Sequence, residues 1–166
     1  MIVVVFGLPG SGKSYFAERL AKKLDSRYVN SDRLRRKMFP TRSYSEREKA
    51  MVYSAMLDDM EKSIANKEKL VLDATFHSQA SRKPFIDKAA EGIVFIEVQA
   101  DEQIIKHRLQ KTRQYSEADF EIYKLIKGAW EPLEVPHLIL KSTNDNIDSM
   151  LQQAIAHIKN DKGANR

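Results

Sequence analysis

Two aspartates, a lysine and a group of arginines carry the chemistry this sequence offers. Asp32 follows the apolar "YVN" and is surrounded by Arg33, Arg35 and Arg36 in "NSDRLRR"; Asp73 closes the run "KLVLDAT"; Lys13 and Ser14 close "GLPGSGKS". A carboxylate beside guanidinium groups can take a proton while the cations hold an anion. A lysine and a serine behind glycines can hold phosphates and a hard divalent cation. The bland alternatives are a solvated charged turn and, for Asp32, a cap on a short helix "RLRRKMF".

The glycine-rich stretch decides first. Gly7 to Ser14 fits G-x-x-x-x-G-K-[ST], a match expected by chance in roughly one chain of this length in two hundred. It follows a buried apolar strand and opens a helix, as that motif requires. A plain glycine turn would not explain a lysine at a helix start, where the backbone is already partly positive. Bound polyphosphate removes that conflict. Gly7, Leu8, Pro9, Gly10, Ser11, Gly12, Lys13, Ser14 and Tyr15 are therefore expected to bind ATP. Loop N–H groups would meet phosphate oxygens, Lys13 would bridge the terminal phosphates, and the Ser14 hydroxyl would complete the shell of a Mg²⁺ ion that accompanies ATP. No N-K-x-D element for reading guanine is present, which favours ATP over GTP.

The elements that must position these groups alternate. "MIVVVF", "RYVN", "KLVLDAT", "GIVFIEVQA" and "HLILK" read as strands, the first as one buried on both faces. Helical stripes run through Phe16, Ala17, Leu20 and Leu24; through Tyr53, Met56, Leu57, Met60 and Ile64; through Phe85, Ile86 and Ala89; and through Ile104, Ile105 and Leu109. "QKTRQYSEAD" is a polar connection in which Ser116 and Asp119 read as a capping box, opening a helix with Ile122, Leu125 and Ile126 on its buried side. A last stripe of Ile147, Met150, Leu151, Ala154, Ile155 and Ile158 precedes a polar tail expected to fray from 161 to 166. The expected fold is α/β in three layers: a parallel sheet of about five strands, helices on both faces and a small helical lid near 111–128, all in one domain over 1–160. In such sheets ligands bind beyond the carboxyl ends of the strands, which puts Asp32 and Asp73 on the rim of the phosphate loop.

Composition bounds the rest. The 166 residues suit one packed domain, and 28 basic against 23 acidic residues give a mild net charge of +5. That excess is compatible with anionic ligands and is not a nucleic-acid signature by itself. The absence of cysteine excludes disulfides, thiolate metal sites and cysteine nucleophiles, and the four histidines are not spaced as metal ligands. The start "MIVVVF" has no basic leader and is far short of the ~20 apolar residues that span a bilayer. A cytoplasmic location without membrane association is expected, with the oligomeric state left open.

Taken together, "GLPGSGKSYFAERL", "NSDRLRRKM", "VLDATFHSQASRKPF" and "HRLQKTRQYSEADFEIY" resemble the small P-loop kinases. The nearest resemblance is to the kinase domains of polynucleotide 5′-hydroxyl kinases and their ATPase-labelled relatives, with zeta-toxin-type kinases further away. It implies an ATP-dependent phosphotransferase that moves the γ-phosphate of ATP to a hydroxyl of a small molecule or of a nucleic-acid 5′-end. By that resemblance Lys13, Asp32 and Arg113 are catalytic, with Asp32 the general base and Arg113 the lid arginine on the transferring phosphate. Arg35, Asp73 and Arg82 bind the acceptor, and Ser14 and Asp73 serve Mg²⁺. "DATF" stands where polynucleotide kinases tend to have "DTN", which implies a different acceptor pocket. Arg108 and Arg113 are five apart where four is commoner, so Arg108 is the second choice for the lid role. Arg33 and Arg36 are expected to be solvated. The competing reading is a P-loop ATPase or nucleotide-dependent switch with no acceptor but water.

Overall fold

The strand IVVVF, β1 (Ile2–Phe6), is buried along its whole length, and its neighbours explain why every residue in it is apolar. The computed structural model describes residues 1–89, 92–111 and 118–164. In it β1 lies at the centre of a five-stranded parallel sheet with β2 (Arg27–Asn30), β3 (Leu70–Ala74), β4 (Ile93–Gln99) and β5 (Leu138–Lys141), ordered β2-β3-β1-β4-β5. The helices are α1 (Lys13–Leu24), α2 (Ser31–Met38), α3 (Glu46–Ala65), α4 (Gln79–Ala89), α5 (Glu102–Leu109), α6 (Phe120–Gly128) and α7 (Ile147–Ala164).

Side chains alternate across a strand, so β1 feeds two cores. Val3 and Val5 pack with Phe16, Ala17 and Leu20 of α1 and Met150 and Ala154 of α7. Ile2, Val4 and Phe6 pack on the other face with Val52, Met56 and Met60 of α3 and Phe85 of α4. Each such buried side chain contributes roughly 1.5–3 kcal/mol over leaving it in water. The same alternation places the site. Register sets Asn30 beside Asp73 and Asp73 beside Val5, so both polar side chains emerge on the face that α1 covers.

One expectation needs correction. The apolar stripe of α6 was expected to bury Ile122, Leu125 and Ile126, but the buried residue is Tyr123, packed with Ile105 and Leu109 of α5. Leu125 is 74% and Ile122 40% exposed. A periodic stripe shows that a helix has an apolar side; the docking edge is set here by Phe120 stacked on Tyr123, rings 5.3 Å apart. At the other end of the chain, α7 is continuous to Ala164. A lone glycine such as Gly163 costs only about 1 kcal/mol in a helix.

Candidate active site

The loop from Gly7 to Gly12 is shaped for a ligand. Gly7 (φ 155°) has no room for a side chain, because a Cβ there would run into the Val98 carbonyl. Gly12 sits at φ 90° as the N-cap of α1, where a Cβ would lie 2.7 Å from Ser142 Oγ. It gives α1 no side-chain cap, and no acidic residue occupies the first turn. The helix start thus keeps unsatisfied N–H groups and partial positive charge, with Lys13 added to it. This end of α1 opens into a cleft of about 560 Å³, bounded by Lys13, Ser14, Tyr15, Arg108 and the loop Ser142–Asn146 after β5.

Below it lies a buried polar cluster. Asp73 is fully buried; its Oδ2 accepts from the Tyr28 hydroxyl at 2.7 Å and from Asn30 Nδ2 at 2.6 Å. Asn30 Nδ2 also reaches Ser14 Oγ at 3.3 Å, which links the strand ends to the start of α1. Burial, and after it the Asp73 carboxylate, push the Tyr28 hydroxyl far up from its ordinary pKa, so it remains a donor. Oδ1 of Asp73 is buried with no hydrogen-bond partner among the described residues. An orphan carboxylate oxygen next to the serine of a phosphate loop fits a hydrated Mg²⁺, which takes one or two carboxylates plus phosphate oxygens and water. No cluster of three or more acidic or histidine ligands occurs among the described residues, and an ion of that kind needs none.

Asp32 stands one residue inside α2. The N-cap is Asn30, whose Oδ1 accepts from Arg33 N–H at 2.9 Å. The cap reading of Asp32 is therefore overturned, and its carboxylate faces a second cleft of about 240 Å³. Arg35 lies beside it, with Nη1 3.4 Å from Asp32 and Nε 3.3 Å from Glu48. Glu48 is buried and accepts from Ser43 N–H and hydroxyl at 2.7 and 3.0 Å and from Tyr44 N–H at 3.3 Å. Burial opposes its ionisation, but these donors and Arg35 outweigh that and hold its carboxyl below the usual range. Arg33, expected to be solvated, pairs with Glu18 of α1 at 3.1 Å. Lys13 borders both clefts.

The sequence matches the AAA domain family over residues 2–133. The chain belongs to that family of P-loop NTPases. Among curated proteins, none matches it. In fold this AAA domain resembles a gluconokinase from Sinorhizobium meliloti, with a TM-score of 0.74 at 18% identity over 95% of this chain and 91% of that one. It also resembles the APS kinase of Mycobacterium tuberculosis in complex with AMPPNP and APS, at 0.70 and 20% over 95% and 96% of the two chains. A third likeness is Kti12 of Chaetomium thermophilum in complex with ADP-AlF3, at 0.72 and 18% over 96% and 98%. At such identities the likeness shows the fold, which is the P-loop kinase fold.

Not every expected site residue of this AAA domain meets the clefts. Arg82 is buried between the rings of Phe6 and Trp130, 5.4 Å from each. Its Nε donates to the Phe76 carbonyl and its Nη2 to the Glu131 carbonyl, both at 2.6 Å. It is a latch between the chain after β3 and the chain after α6, and it is not among the residues facing either cleft. The latch also holds Phe76 at φ 46°, an unusual backbone for a bulky residue, next to the site. Arg108, the second choice for the lid role, donates to Gly10 O (3.2 Å), Ser142 Oγ (3.1 Å) and Thr143 O (3.0 Å), so it braces the phosphate loop against the loop after β5. Arg113 and Ser116 lie outside the described residues. Sequence reasoning missed Glu48, Tyr28 and the Ser142–Asn146 loop. "STNDN" beyond the last strand of an open sheet was the one signal available for that loop.

Proposed function

We propose that this protein is an ATP-dependent phosphotransferase acting on a hydroxyl acceptor. The observation that carries the reading is that a phosphate cradle and a second, smaller cleft containing Asp32 share Lys13 as a common wall. Phosphoryl transfer is mainly positioning and charge stabilisation, and those are the residue types gathered there.

In the proposed reaction the acceptor hydroxyl sits in the smaller cleft and gives its proton to Asp32. Its oxygen bonds to the γ-phosphorus while the bond to the β–γ bridging oxygen breaks, leaving ADP and a phosphate monoester. Loop N–H groups and Lys13 hold the phosphates through this change, and Arg35 steadies the Asp32 carboxylate. Ser14 and, through water, Asp73 would hold Mg²⁺, which when bound neutralises phosphate charge. Asn30 and Tyr28 keep Asp73 oriented for that task. The untested lid role of Arg113 belongs to the same proposal, as does a cytoplasmic setting, where ATP is available. No described helix is long and apolar enough to cross a membrane. The likeness to a gluconokinase and to an APS kinase supports a small-molecule acceptor.

The test is transfer of label from γ-labelled ATP to a panel of small alcohols, nucleosides and 5′-hydroxyl oligonucleotides. Labelled ester should form with at least one class, and Lys13→Ala should abolish it while the fold is kept. ATP hydrolysis that no acceptor stimulates would replace this reading with an ATPase.

A further inference from the structure

The smaller cleft is walled by donors with protons that the described residues leave unused. Lys49 of α3 approaches only His77 Nδ1, at 3.4 Å, and makes no ion pair among the described residues. Glu46, one turn earlier on α3 and exposed, does not pair with it. Because an ammonium can only donate, His77 Nδ1 is the acceptor of that contact, so the ring carries its proton on Nε2. Burial, and then Lys49, lower the pKa of His77 and keep the ring in this neutral form. Its Nε2–H has no acceptor among the described residues. Tyr53 accepts from Phe76 N–H at 3.2 Å, but its own hydroxyl proton goes to no group among the described residues. Burial first of all pushes its pKa up to about 12, so that proton stays on. The Thr75 hydroxyl, on the same cleft, has no partner among the described residues either. These four side chains line one cleft of about 240 Å³.

Water can serve such donors one at a time. Three of them converging from α3 and from the chain after β3 around the Lys49 ammonium, which has no ion pair among the described residues although Glu46 stands on the same wall, form a subsite for a group that accepts. Arg35, by contrast, is already matched by Glu48 and Asp32, so the anionic end of a ligand finds its unmet charge at Lys49. The volume is that of a small molecule, and Ile122 and Ile126 of α6 close one side with apolar surface.

We propose that Lys49 and His77, with Tyr53 and Thr75, form a subsite for the carboxylate or phosphate group of a small polyhydroxy acceptor. This deepens the proposed kinase reading and rests on it. Asp32 and Lys13 line the same cleft, where the hydroxyl that is phosphorylated would lie, and Lys49 holds the charged end.

The test compares acceptors that differ only in charge: aldonic acids against alditols of equal length, sugar phosphates against the parent sugars, and a 5′-hydroxyl oligonucleotide. The wild type should favour a charged member of a pair, and the carboxylate and phosphate arms identify which anion is used. Lys49→Gln should cut that preference by about ten- to a hundredfold through KM, the worth of one charge-assisted hydrogen bond. Lys49→Arg should restore part of it. A preference for the neutral member, an unchanged preference in Lys49→Gln, or a preference for the oligonucleotide would each overturn the subsite. A second measurement does not depend on turnover: ring resonances of His77, assigned with His77→Gln, followed as aldonate or sugar phosphate is added beside Mg·AMPPNP. A saturable shift that weakens about tenfold or more in Lys49→Gln supports the subsite even if no acceptor is phosphorylated, in which case only the kinase reading falls. No shift with any anion overturns the subsite and leaves the kinase reading to the transfer assay.

Discussion

Asn30 caps α2, and that sharpens what a change at Asp32 can mean. Asp32→Asn leaves the cap in place, so any effect on α2 is small. Transfer should fall by about 10²–10⁴, the range for a positioned base, with nucleotide affinity kept. Steady-state kinetics and a thermal unfolding curve decide it; full activity would move the base elsewhere. Arg82 predicts the opposite pattern. Arg82→Met fits the space between Phe6 and Trp130 but leaves the Phe76 and Glu131 carbonyls without their donor. Stability in urea should drop by about 2–4 kcal/mol, while the KM of any acceptor should change little once the protein is folded. A large KM effect at unchanged stability would return Arg82 to the binding site.

At the scale of elements, α5 delivers one side chain that ties two loops together. Arg108 holds Gly10 of the phosphate loop and Ser142 and Thr143 after β5, and burial alone presses its pKa below the ordinary guanidinium value. Arg108→Ala should loosen the wall of the larger cleft and raise the KM for ATP by about tenfold, with kcat changing much less. A fall in kcat alone would instead put this arginine on the transferring phosphate. The strands, the phosphate loop and the two aspartates were legible because each is a local pattern: β-branched runs, a fixed glycine spacing, a carboxylate at a strand end. Arg108 and Arg82 were given lid and acceptor roles by resemblance, and their bracing contacts were not visible. Their partners are mostly backbone carbonyls, and carbonyls leave no mark on a sequence. Glu48 looked like one charge among several at the start of α3, since its burial follows from the Ser43–Tyr44 turn folding over it. The inward face of α6 was misread because its stripe contains aromatic and aliphatic residues and only packing against α5 chooses between them.

For the molecule as a whole, acid should reduce stability in two stages. His77 has a folded-state pKa below its ordinary 6.5, so the folded form binds fewer protons than the unfolded one. Its contribution is complete above that value and is lost as pH falls through the folded pKa. Glu48 also has a lowered pKa, and its contribution is complete above the ordinary 4.5 and is lost as pH falls below it. Melting temperature against pH should therefore decline first below about 6.5 and again below about 4.5. His77→Gln should remove the upper decline and Glu48→Gln the lower. A single decline untouched by either change would assign acid sensitivity to other groups. One more consequence lies in Asn30, whose amide joins Ser14, Asp73 and α2 through one planar group. It is followed by a serine, a small neighbour that does little to hinder the slow spontaneous loss of ammonia from asparagine. That ageing reaction turns the Nδ2 donor into a second carboxylate, in hydrogen-bonding range of a buried one. A stored sample should lose the proposed transfer activity in step with deamidation at this one position, which makes Asn30 a chemical clock for the protein's shelf life.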